Sequence, residues 1–161
     1  MSATGLTLPQ RVRARRLAVN SMKVLLKNAP AVHYSQRPDR FSGIAQHKRA
    51  YKGQFPATCD CSSSTTWALW DATRKYKLGD FVNGAGWKAG YTGTQQNHGK
   101  RVTGRKLPGD LVFYGNQGGG VAEHVAMYVG SGLVISQGSE RGPFLLRFDY
   151  RPVAEVRRYL R

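Results

Sequence analysis

The chain has 161 residues, 40% hydrophobic and 11% aromatic, which is enough to bury one core and too apolar for compositional disorder. It carries 25 lysines and arginines against 9 aspartates and glutamates, a formal net charge of +16, and such a balance points to an anionic partner. No apolar run approaches the ~20 residues of a membrane-spanning helix, so no membrane span is expected.

Residues 10–28 read as a basic amphipathic helix. Val12, Leu17, Met22, Leu25 and Leu26 fall near one stripe, with Arg11, Arg13, Arg15, Arg16, Lys23 and Lys27 largely off it. Pro30 stops it. Ala29-Pro30-Ala31 has the small residues of a signal cleavage site. The stretch before it is broken by Asn20, Ser21, Lys23, Lys27 and Asn28, so no signal peptide is expected. Residues 31–57 are irregular, punctuated by Pro38, Gly43, Gly53 and Pro56. A second helix begins at Cys61 or just before it, with Asp60 and Ser62 as capping types and Trp67, Leu69, Trp70 and Ala72 as its apolar surface. Residues 83–105, rich in Gly, Asn, Gln and Lys, read as an exposed loop. Strands follow at 111–114, 125–129 and 133–136, the last two joined by a turn at Gly130-Ser131-Gly132. Further strands are expected over 144–149 and 153–159. With no repeat and no linker, the reading is one domain over 1–161, a basic helix over 1–30 followed by a core over 31–161.

The two cysteines, Cys59 and Cys61, are too close in sequence for a useful disulfide, which would close too small a loop. The four histidines, His33, His47, His98 and His124, are scattered, so no metal and no cofactor are expected. A reactive thiol is the better explanation. At a helix N-terminus Cys61 would feel the positive end of the helix dipole, which favours the thiolate. His124, at the head of an apolar strand, is the candidate base, and its imidazole needs a polar partner to fix its orientation. The turn at 130–132 brings Ser136 or Gln137 back opposite it, and period-2 alternation lets only one of them face the ring unless a bulge intervenes. Cys59 reads as a small buried hydrophobe. Asp80 and Asp110 each follow a glycine and read as turn residues.

Three segments, in order, carry a resemblance. Asp60-Cys61-Ser62 before a helix, Gly109-Asp110-Leu111-Val112-Phe113-Tyr114, and His124-Val125-Ala126-Met127-Tyr128-Val129-Gly130 resemble the nucleophile, strand and histidine motifs of NlpC/P60 cell-wall peptidases over roughly 55–140. Ala31-Val32-His33-Tyr34-Ser35-Gln36 and Ser136-Gln137-Gly138-Ser139-Glu140-Arg141-Gly142-Pro143 are similar to segments in phage endolysins, especially those of actinobacterial phages. The resemblance implies a papain-like α+β fold, with the nucleophile's helix packed on an antiparallel sheet. It implies Cys61 as nucleophile and His124 as base. The third position is usually His, sometimes Asn or Gln. Gln137 is the preferred third residue here, because an amide oxygen can accept the imidazole N–H, with Ser136 as the alternative. Tyr34 resembles an aromatic near the cleft, and Tyr34, Asp60, Ser62 and Ser136 are the candidates for substrate contact.

The resulting expectation is a peptidoglycan hydrolase that cuts a stem-peptide amide, the D-glutamyl–diaminopimelate bond, through an acyl-enzyme on Cys61. The positive charge would hold a monomeric enzyme on the anionic wall, with nucleic acid not the expected partner. A phage product made in the host cytoplasm and reaching the wall at lysis fits the lack of a signal peptide. The rival readings are an N-acetylmuramoyl-L-alanine amidase with the same thiol site, a basic nucleic-acid-binding protein, and an inactive scaffold. Cys61 and His124 together argue against the last.

Overall fold

Thr7 opens the first helix, α1 (Leu8–Lys27), through a reciprocal cap. Its hydroxyl accepts from the Gln10 N–H, and the Gln10 side chain accepts from the Thr7 N–H. The helix therefore starts slightly before the expected position. It buries Ala14, Ala18, Met22 and Leu25, spaced so that all face one way. Val12, expected on that stripe, is instead half-exposed on the other side of the helix, and the small residues Ala14 and Ala18 form the contact. They let α1 lie close against α3 (Cys61–Thr73), the second long helix.

The structure, a computed structural model, describes residues 4–116, 118–138 and 142–161. Between the two helices run β1 (His33–Tyr34), short 3-10 turns, α2 (Ser42–Ala45) and β2 (Thr58–Cys59). β1 and β2 pair in parallel, with Tyr34 opposite Cys59. Gly43 lies against Trp67, where an added Cβ would sit 2.7 Å from the indole, so only glycine fits there.

α3 is buried on almost every side, although its first half is Ser62, Ser63, Ser64, Thr65 and Thr66. Small side chains let the sheet approach, and two of the hydroxyls bond back to carbonyls of the helix. Ser64 donates to the Cys61 carbonyl at 2.8 Å and Thr65 to the Ser62 carbonyl at 2.9 Å.

The stretch 83–105 contains α4 (Thr92–Gln96) and β3 (Lys100–Arg101), so it is not a simple loop. Both are short and polar and lack an apolar period that a sequence reading could detect. A buried side chain of α4 ties it to α3. Gln95 donates to the Ser62 carbonyl at 2.9 Å and to the hydroxyls of Thr65 and Thr66.

The main sheet adds β4 (Leu111–Tyr114), β5 (His124–Gly130), β6 (Leu133–Gln137), β7 (Pro143–Arg147) and β8 (Val153–Arg158). It is antiparallel throughout, in the order β3-β8-β4-β5-β6-β7. Alternation splits it cleanly. Leu111, Phe113, Val125, Met127 and Ile135 share the core with α1 and α3, whereas Val112, Tyr114, Ala126, Val134 and Val156 form a second cluster. The turn between β5 and β6 places Ser131 and Gly132 at φ 54° and 76°, as a two-residue hairpin of the favoured twist requires. The register shifts between Tyr128 and Gly130, leaving Val129 as a bulge. Helices on an antiparallel sheet make the α+β class expected from sequence.

Candidate active site

Asp60 fixes where α3 begins. Its Oδ1 accepts from the Ser63 N–H at 2.8 Å, and the Ser63 hydroxyl accepts from the Asp60 N–H at 2.8 Å. Cys61 is thereby the first helical residue. Its thiol lies against the strand that carries His124, where the Val125 N–H donates to it, and 4.0 Å from the Thr92 hydroxyl on α4. Three elements thus meet at the sulfur: α3, α4 and β5.

The thiol is nearly buried, at 7% exposure. Burial, and then the neighbouring Asp60 carboxylate, push its pKa up, while hydrogen bonds from Val125, Thr92 and Ser62 pull it back. The net direction is upward, so the surroundings favour the neutral thiol and leave deprotonation to a base. Cys59 sits on β2 with no exposed surface, and burial drives its thiol far upward. Both thiols are free.

His124 opens β5 opposite Tyr114 of β4. Its Nε2 lies 2.6 Å from the Ser136 Oγ, and its ring stacks 5.8 Å from that of Tyr114. The Ser136 hydroxyl continues to the Tyr150 hydroxyl at 3.4 Å, and the Tyr150 ring packs 5.1 Å from Tyr114. The imidazole is therefore held against the Ser136 hydroxyl and the Tyr114 ring.

The preference for Gln137 over Ser136 as the partner of the imidazole is corrected by this geometry. Met127 pairs with Ile135, which fixes the register of the hairpin. Even-numbered residues of β5 and β6 then share the face that bears His124, and Gln137 falls on the opposite face. Its amide is fully buried and donates to the Cys59 carbonyl at 3.4 Å. The bulge lies at the turn end of the hairpin, beyond this pair, and does not exchange the two residues.

The other sequence candidates are placed as follows. Tyr34 is half-buried on β1 beside Cys59, and its hydroxyl accepts from the Gln36 amide at 2.9 Å. Asp60 and Ser62, expected to contact substrate, are turned to protein partners: the second Asp60 oxygen pairs with Arg40 at 3.1 Å, and the Ser62 hydroxyl lies 3.3 Å from both groups. Ser136 is spent on the histidine. Asp80 accepts from the N–H groups of Val82 and Asn83, and Asp110 from that of Leu107, so both are turn residues as expected. Among the described residues, no group of three His, Cys, Asp or Glu side chains could hold a metal ion. Ser139, Glu140 and Arg141 of the segment after β6 lie outside the described residues.

Three residues at the site were not foreseen. Arg40 joins Asp60, Ser62 and, at 2.7 Å, the Gly90 carbonyl, tying the 3-10 turn at Pro38–Phe41 to the head of α3 and the approach to α4. Thr92 and Tyr150 complete the surroundings of Cys61 and Ser136. None belongs to a periodic pattern, and the approach of distant segments is what brings them in.

Against solved structures, the chain is similar to NlpC2 from Trichomonas vaginalis, with a TM-score of 0.59 and 23% identity over 91% of this chain and 47% of that one. NlpC1 from the same organism follows at 0.56 and 21%, over 90% and 44%. The NlpC/p60 domain of the peptidoglycan hydrolase SagA has a TM-score of 0.50 and 20% identity, over 76% of this chain and 98% of that domain. At these identities the likeness is one of fold, and it agrees with the papain-like arrangement of thiol helix and histidine sheet. The chain spans about half the length of the two Trichomonas proteins. No curated protein matches the sequence. The NlpC/P60 family matches residues 47–143, more than half of the chain, and the match includes Cys61, His124 and Ser136. The chain belongs to the NlpC/P60 family.

Proposed function

We propose that the protein is a cysteine peptidase that cleaves an amide of the peptidoglycan stem peptide. The observation that carries this reading is the Cys61 thiol at the head of α3, hydrogen-bonded by the residue that follows His124. With Ser136 on Nε2 of the imidazole, this reading assigns Nδ1 the role of accepting the thiol proton. Nδ1 takes that proton, and the thiolate attacks the amide carbon. The Cys61 N–H, first in its helix and lacking an intrahelical acceptor, is a donor for the developing oxyanion. The C–N bond breaks as His124 returns the proton to the departing amine, leaving a thioester on Cys61. Water, deprotonated by His124, then attacks the thioester, releasing a carboxylate and restoring the thiol.

The preferred bond is D-glutamyl–diaminopimelate, as the family resemblance implies. The alternative, cleavage between the glycan and the first L-alanine, uses the same residues. The setting proposed is that of a phage lytic enzyme, supported by the resemblance to endolysins and by the net charge of +16. Mass spectrometry of digested wall fragments tests the bond. Free diaminopimelate amino groups are the expected product, and intact stem peptides released from the glycan would assign the amidase reaction instead.

A further inference from the structure

At the far edge of the sheet, β3 pairs with β8 in a way that local energetics disfavour. Lys100 lies opposite Arg158, and Arg101 opposite Arg157. Like charges directly across two strands repel. Two carboxylates relieve part of this: Asp110 holds Arg158 through two contacts of 2.8 Å, and Glu155 holds Arg157 at 3.2 Å. Among the described residues, no carboxylate pairs with Lys100, Arg101, Arg105 or Arg161. These four line one open cavity of about 330 Å³ together with Arg158.

The crowding extends below the strands. Arg15 of α1 donates to the Leu160 carbonyl, and burial, with Arg158 and Arg11 nearby, holds its pKa below the usual guanidinium value. Charged side chains on an outer strand guard against edge-to-edge aggregation. That role needs them only on β3, whereas here the cations also occupy β8, the loop after β3 and Arg161.

We propose that this edge binds a polymer of phosphodiesters attached to the cell wall. Arginine forks match phosphate oxygens, and a repeating anion can engage several of them at once. No aromatic side chain lines the cavity, so it offers no surface on which bases could stack, and this favours a wall polymer over single-stranded nucleic acid. The inference rests on the wall-hydrolase reading for its choice of polymer, but binding at this edge requires no catalysis.

The test uses full-length protein carrying Cys61→Ala, so that walls stay intact. Binding to purified walls is measured with the phosphodiester polymer retained and after its chemical removal. The triple variant Lys100→Ser, Arg101→Ser, Arg105→Ser is expected to bind polymer-bearing walls at least about tenfold more weakly, with a salt slope shallower by about two at roughly 0.7 per lost phosphate contact. On stripped walls the two proteins should bind alike. A control triple, Lys23→Ser, Lys27→Ser, Lys52→Ser, removes the same charge from exposed positions elsewhere and should change binding little. Equal losses from the two triples would overturn the proposal in favour of diffuse attraction. Unchanged wall binding in the edge variant, with loss of oligonucleotide binding, would overturn it in favour of nucleic acid. Melting temperature confirms folding, and removal of the cross-strand repulsion should leave it unchanged or raised. In the Cys61-containing background, hydrolysis of a soluble muropeptide should be the same with and without the edge substitutions. Failure of both to hydrolyse would count against the peptidase reading alone, since the wall-binding comparison stands without it.

Discussion

The head of α3 and the β3–β8 edge treat polar groups in opposite ways. Around Cys61 almost every polar side chain is buried and partnered within the protein: Asp60 with Ser63 and Arg40, Ser64 and Thr65 with helix carbonyls, Gln95 with α3. At the edge, cations are set opposite cations, and four of them pair with no carboxylate among the described residues. Buried polar groups are costly unless satisfied, so a cluster in which most of them are partnered, the Gln95 Oε1 being an exception, favours one geometry. Exposed like charges fix nothing and instead raise the attraction for a counter-ion. One region is built to hold atoms in place, the other to meet a partner.

The sharpest way to break this comparison is at the histidine. His124→Ala should lower turnover on a soluble muropeptide by about 10²–10⁴-fold with the fold intact by circular dichroism, since the acid–base step is lost. A loss no larger than that of an edge substitution would mean that β5 plays no part in the chemistry.

Arg40 should come next. Arg40→Met strands the Asp60 carboxylate, and breaking such a buried pair typically costs ~3–5 kcal/mol. Denaturant unfolding measures that loss. The Asp60 charge also pushes the Cys61 thiol upward, so the pH profile of Cys61 alkylation should move to higher pH in this variant. A profile that stays in place would show that Arg40 only braces the fold.

The Ser136 and Gln137 pair sharpens the comparison further. Ser136→Ala should reduce kcat by more than Gln137→Leu does, because only Ser136 touches the imidazole. Gln137→Leu keeps the buried volume and gives up one long hydrogen bond to Cys59, at most about 1 kcal/mol of stability. If Gln137→Leu were the change that slowed turnover, the residue's link to β2, just before Cys61, would matter more than the partner of the ring.

Much of this was legible in the sequence. The strands at 111–114, 125–129 and 133–136 and the start of α3 at Cys61 follow from alternation, capping types and spacing. Two kinds of feature were not. Hydrogen-bonding chemistry favours Gln137 over Ser136, but the face of a strand is decided by register, here by Met127 against Ile135. Arg40, Thr92 and the helix α4 depend on long-range contacts such as the buried amide of Gln95, which leave no local period. The edge cations were visible as net charge, but their cross-strand pairing was not.

Alkylation of the thiols tests the central claim most directly. Iodoacetamide should add one group per chain, on Cys61, with activity falling in proportion. The rate should climb with pH through the alkaline range, because burial raises the thiol pKa and keeps the thiolate scarce near neutrality. Cys59→Ala should label and inactivate in the same way, since Cys59 has no exposed surface. Full activity in a protein whose Cys61 is completely alkylated, or inactivation that tracks an adduct on Cys59, would contradict the account.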